Sequence, residues 1–278
     1  LRDRLGLALN HTTEGPKARS LAAFAFAVVS AAHHEQGIVP PDLLSASQID
    51  ADIEALLQGH MADNTGPSWP EPLTETVRGL RVFRAELREW MARVTENGLT
   101  HERILEAATT LNRPEWIAAS EFAAEYRRVV ASARPGAFDS AEIIRRALVV
   151  LDDGLPKKFA GLAHVGVDDA MNLTAAGWEL VGRLRDLGVG LTVVAEPDVA
   201  GNTFRGSEPD GVSFYSARWG VAVDVLSEVF RVGPVLREAL TKVTERVGTA
   251  GMGAQRKAPG VSADPGVIHT LLTPSPQR

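Results

Sequence analysis

Leu162-Ala163-His164-Val165-Gly166-Val167-Asp168-Asp169 and, one helix length further on, Leu191-Thr192-Val193-Val194-Ala195-Glu196-Pro197-Asp198 are two short apolar runs that end in acids. Each reads as a buried parallel strand. Between them Thr174 caps a helical pattern carrying Trp178, Leu180, Val181, Leu184 and Leu187, which Gly188 stops. Strand, helix and strand within about thirty residues make a βαβ unit, with parallel strands and a right-handed crossover. Ligands of open α/β sheets gather beyond the carboxyl ends of strands, so the chemistry is expected at Asp168, Asp169, Glu196 and Asp198.

Upstream the grammar is helical. Residues 17 to 34, around Phe24, Phe26, Val28 and Val29, suit a packed helix, and Pro40-Pro41 and the loop from Asn64 to Pro72 interrupt regular structure. From 77 to 97, Leu80, Phe83, Leu87, Trp90 or Met91, and Val94 recur at helical spacing before Gly98. The opposite face carries Arg78, Arg81, Arg84, Arg88 and Arg93 among Glu86 and Glu89, either a DNA-facing surface or, the preferred reading, a solvated face laced with ion pairs. Pro114 opens a helix through Trp116, Phe122, Tyr126 and Val130, and Asp139-Ser140-Ala141-Glu142 is a capping box before Ile143, Ile144, Ala147, Leu148 and Leu151. The middle of the chain is expected to be all helical.

Composition narrows the classes. With 45% hydrophobic residues among 278, the chain can bury a sizeable core, in one large or two smaller domains. It has no cysteine, which excludes disulfides and thiolate metal sites. No apolar run of about eighteen residues and no secretory signal pattern occurs, so a cytoplasmic protein with no membrane role is expected. A formal charge of -6 argues against an overall positive field for nucleic acid, while a local basic groove remains open. Leu1-Arg2-Asp3-Arg4-Leu5 reads as the middle of an amphipathic helix, and the chain is expected to be a fragment.

Paired carboxylates at a strand end suit a nucleotide hydrolase, one holding the magnesium shell and one orienting water. Downstream, Val193-Val194-Ala195-Glu196-Pro197-Asp198-Val199-Ala200-Gly201-Asn202-Thr203-Phe204-Arg205-Gly206 resembles motif III of the UvrD/Rep-like superfamily 1 DNA helicases. Asp168-Asp169-Ala170-Met171-Asn172 is similar to their motif II, normally D-E-x-Q-D. Leu226-Ser227-Glu228-Val229-Phe230-Arg231, with a helix through Val235, Leu236 and Leu240, resembles motif IV, and Ala18-Arg19-Ser20-Leu21-Ala22-Ala23-Phe24 resembles motif Ib. Within the family the chain is most similar to the actinobacterial AdnAB helicase-nucleases.

The resemblance implies an α/β fold, a P-loop NTPase (RecA-like) parallel sheet domain with an inserted all-helical subdomain. Residues 1–36 and 151–247 would form the RecA-like part, 37–150 the insertion, and 248–278 a linker toward a second RecA-like domain. It implies ATP and Mg as cofactors, with Asp168 and Asp169 catalytic and Asp168 meeting Mg through water. Phe230, Arg231, Glu196 and Asp198 would bind nucleotide, and Phe204, Arg205 and Ser20 would bind DNA. Arg231 either reaches a γ-phosphate or forms a salt bridge to Asp168, Glu196 or Asp198, the second being preferred. Phe230 is read as a core side chain in preference to a purine platform.

Several positions depart from the family pattern. No G-x-x-x-x-G-K-S/T occurs, so this chain holds no phosphate cradle. Asp169 stands where the motif II Glu would, Val199 where the motif III Gln would, and Met171, Asn172 and Ala22 replace polar contacts. The expectation is a degenerate motor portion of a helicase subunit in double-strand-break resection, bound to single-stranded DNA and a duplex end. A second helicase-nuclease subunit would be its partner. The alternative is an active 3'-5' helicase whose phosphate loop lies upstream. His33-His34-Glu35 is read as solvent-facing, because adjacent helical residues point about 100° apart and cannot converge on one ion. Gly248 to Lys257 and Pro259 to Pro265 are read as flexible linker.

Overall fold

The computed structural model describes residues 7–8, 16–203, 206–248 and 253–268. The protein is mixed α/β and mostly helical, with two short parallel strand pairs among the described residues. It divides into two compact units, one of residues 1–165 and 174–192, the other of 166–173 and 193–278. None of the described helices is long and apolar enough to cross a membrane.

Unit 1 holds two apolar clusters. The first joins α1 (Leu21–Glu35), α7 (Ser140–Asp152) and α8 (Ala175–Asp186) through Val28, Val29, Ile143, Leu151, Leu180 and Leu184. Asp139 explains where α7 begins: its carboxylate accepts from Ala141 N and Glu142 N, both at 2.7 Å, while Glu142 reaches back to Asp139 N at 3.0 Å. This is the capping box read from the sequence. Thr174 likewise caps α8, accepting from Gly177 N at 3.4 Å.

The second cluster joins α2 (Ala46–Asp63), α4 (Arg81–Glu96) and α6 (Pro114–Ala133) around Ile53, Leu57, Leu87, Met91, Phe122 and Tyr126. Beside these lie α3 (Glu75–Arg78) and α5 (His101–Thr110). The single helix expected over 77–97 is therefore broken: α3 ends at Gly79, and α4 restarts after Leu80 in extended backbone. Nor is the middle of the chain wholly helical, because β1 (Asp42–Leu43) pairs in parallel with β2 (Ala137–Phe138).

Two arginines of the α4 face are engaged within the protein, while Arg81 and Arg93 are exposed. Arg84 is buried and meets Asp50 at 3.5 Å and Glu54 at 3.1 Å, and Arg88 donates to Ala46 O. His33 is also buried, its Nδ1 2.9 Å from Val39 O, so the solvent-facing expectation is corrected for that residue while His34 and Glu35 are exposed.

The βαβ reading holds in outline. β3 (His164–Val167) and β4 (Gly190–Val193) flank α8, and Gly190 N donates to Ala163 O while Val194 N donates to Val167 O. The offset is the same at both ends, as parallel pairing requires. The strands are not buried, however: His164, Gly166 and Thr192 are exposed and their neighbours half-buried. No third described strand flanks them, so their outer edges pair with no described strand, while Leu162 and Val165 pack against the first apolar cluster. Gly190 is required by close approach, since a Cβ there would meet His164 Nδ1 at 2.7 Å.

Unit 2 contains α9 (Gly211–Trp219) and α10 (Pro234–Thr244). Its fully buried apolar side chains among the described residues are Ala170, Met171 and Ala258. The helical spacing of Val235, Leu236, Leu240 and Val243 is amphipathic, yet no α10 residue is fully buried. Between the helices, residues 221–228 are all exposed, and 222–228 make no backbone hydrogen bond to a described residue.

Candidate functional site

The acids at the strand ends all belong to unit 2. Beyond β3 the chain turns at Asp168-Asp169, and Ala170 N donates to Val194 O at 3.0 Å, which carries the ladder past both strands. The two acid-bearing loops are therefore neighbours. Asp169 adopts the left-handed conformation, with φ 53° and ψ 40°, and its N–H donates to Asp168 Oδ1 at 3.1 Å. Aspartate is among the few non-glycine residues that visit this backbone region. Both side chains are exposed. A second tie holds the motif III-like segment to this turn, Glu208 N donating to Leu173 O at 2.9 Å.

Glu196 and Asp198 diverge. Burial and the neighbouring Asp198 raise the Glu196 pKa, against the pull of Arg237 and Arg256. Asp198 is lowered, first by its hydrogen bond from Arg256 and then by the charges of Arg256 and Arg237 and the bond from Gln255. Arg256 Nε lies 3.0 Å from both Asp198 oxygens, and Gln255 Nε2 lies 3.1 Å from Oδ2. Asp198 is held as a carboxylate by a two-pronged guanidinium, the strong form of this contact.

Arg231 takes no part in this. It is exposed and forms no ion pair with a described residue, so the salt bridge expected of it belongs to Arg256 instead. Phe230, read as core, is 73% exposed, because the segment before α10 lies on the surface. Ser20 is the N-cap of α1, its hydroxyl accepting from Ala23 N at 3.3 Å, and belongs to unit 1. Phe204 and Arg205 lie outside the described residues.

Gln255, Arg256 and Arg237 were not singled out from the sequence. They sit in or against the stretch read as linker, whose glycines and prolines hide the short 3-10 turn at Ala254–Lys257. The only signal was the Gln255-Arg256-Lys257 triplet, and nothing in it named an acid partner.

The chain matches no protein-family model and no curated protein.

The Mg and ATP implied by the helicase resemblance have no converging set of three acid or histidine ligands among the described residues. Asp168, the acid expected to meet Mg through water, is exposed and accepts from Asp169 N, while both oxygens of Asp198, expected in the nucleotide site, accept from Arg256 and Gln255. The sequence likewise holds no cradle for the β- and γ-phosphates.

Proposed function

We propose that this chain is the degenerate motor portion of a UvrD/Rep-like superfamily 1 helicase subunit, which guides DNA during double-strand-break end resection without hydrolysing ATP. The fold it would take is RecA-like, interrupted by a helical insertion, and a partner subunit would supply productive hydrolysis. One observation carries the reading: acids in motif II-like and motif III-like positions close two neighbouring parallel strands, and the second is neutralised by an arginine of the same unit. The motif order supports the helicase ancestry. The internal ion pair supports the loss of hydrolysis.

Photocrosslinking of halogenated single-stranded DNA to the full chain tests the DNA arm, with an adduct expected in the peptide spanning residues 203–206. Absence of any adduct would leave a protein-binding scaffold. In the full-length protein, Asp168→Ala with Asp169→Ala is expected to leave ATPase and unwinding unchanged. A clear fall would favour the active-helicase alternative.

A further inference from the structure

Residues 253–266 are built into unit 2. Val229 N donates to Pro259 O and Val261 N to Val229 O, both at 2.9 Å, and Val235 N donates to Pro265 O at 3.2 Å. The backbones approach so closely that side chains are excluded: a Cβ on Gly233 would lie 1.9 Å from Asp264 O, and one on Gly260 would lie 2.5 Å from Val232 O. From α10, Arg237 fixes the intervening turn by donating to Gln255 O and Ala258 O, each at 2.8 Å. That turn delivers Arg256 and Gln255 to Asp198, whose side chain is only 12% exposed against 13% for Arg256.

A carboxylate this enclosed needs a cation, and a protein meets that need with a metal ion or a basic side chain. We propose that residues 253–266 form a strap that supplies Arg256 as a built-in counter-ion to Asp198, taking the place a divalent cation would occupy and closing this acid site to metal. The planar guanidinium bridges both oxygens, leaving neither free for a hard ion that demands near-octahedral oxygen geometry. The expectation of a cation there rests on the motor reading, which places Asp198 in the nucleotide site, where a divalent ion would accompany the phosphates, and Mg itself at Asp168. The strap and its ion pair stand on geometry alone.

Titration of the full chain with Mn2+, followed by the electron paramagnetic resonance of the free ion, tests the closure. The parent chain should leave the ion free, Arg256→Ala should bind it at least about tenfold more tightly, and adding Asp198→Asn should abolish the gain. Binding by the parent that Asp198→Asn removes, or a folded Arg256→Ala that gains nothing, would overturn the proposal. Should Arg256→Ala not fold, trypsin decides: Asp198→Asn alone should speed cleavage after Arg256 and Lys257, and an unchanged rate would overturn the strap. Failure of DNA crosslinking with these results intact would remove the motor reading and leave the counter-ion in place.

Discussion

Glu96, the last residue of α4, has a buried Oε2 with no hydrogen-bond partner. Desolvation, reinforced by Asp139 and opposed by Arg145, pushes its pKa from 4.5 up to about 7. Arg145 donates to the backbone oxygens of Thr95 and Glu96 and pairs with Glu179, while Arg127 donates to Thr95 Oγ1 and lies beside Glu142. Between about pH 4.5 and 7 the folded chain therefore keeps a proton that the unfolded chain has released. Raising pH through that window removes stability. Glu96→Gln should flatten this part of the profile and gain about 1 kcal/mol at pH 8, after discounting for partial exposure, with little change near pH 4. Urea denaturation at both pH values checks it. Residues of this kind were hard to read in advance, because charge partners are chosen by tertiary approach. Arg231 carried the family letter and pairs with no described acid on the surface, whereas Arg256, set in glycine-rich sequence, found Asp198.

Elements were more legible where a local rule and an apolar period agreed. Asp139 and Glu142 announced α7, and Thr174 and Gly188 bracketed α8. Asp139→Ala should cost about 1–2 kcal/mol in thermal or urea melts, and Asp139→Asn much less, since an amide oxygen still accepts from Ala141 and Glu142. By contrast α2 and α5 bury narrow stripes, Ile49, Ile53 and Leu57 in one and Ile104 and Ala108 in the other, so periodicity gave little warning. The Ser45 and Gln48 capping box was a readable sign of α2 that went unused. Strand burial failed for another reason: an apolar run records what a strand prefers to meet, and here β3 and β4 meet only each other among the described strands. At Gly190, substitution by Ala should push His164 aside, break its 2.9 Å contact with Thr192, and shift the His164 ring signals in NMR spectra while α8 stays intact.

At the scale of the whole molecule the two units are unequal. Unit 1 owns two apolar clusters with Phe122, Ile53, Ile143, Leu151 and Leu180 fully enclosed. Unit 2 encloses three apolar side chains among its described residues and relies on close backbone approach, the Arg237 bonds and one ion pair. Buried apolar area sets most of a fold's resistance to opening. Hydrogen-deuterium exchange should therefore leave the amides of 143–151 and 176–184 slowest, those of 229–248 and 253–261 intermediate, and those of 222–228 unprotected. Equal protection in both units would contradict this ordering.

The stretch Val221-Ala222-Val223-Asp224-Val225-Leu226 has a consequence for handling the protein. Alternating β-branched residues, of which 222–226 make no backbone hydrogen bond to a described residue, offer a ready rung for another extended chain, and Asp224 is the lone charge interrupting them. That carboxylate acts as a gatekeeper, and replacing it with Asn would let copies zip edge to edge. Turbidity of purified Asp224→Asn should therefore exceed that of the parent chain at equal concentration, with the helical circular dichroism of unit 1 unchanged.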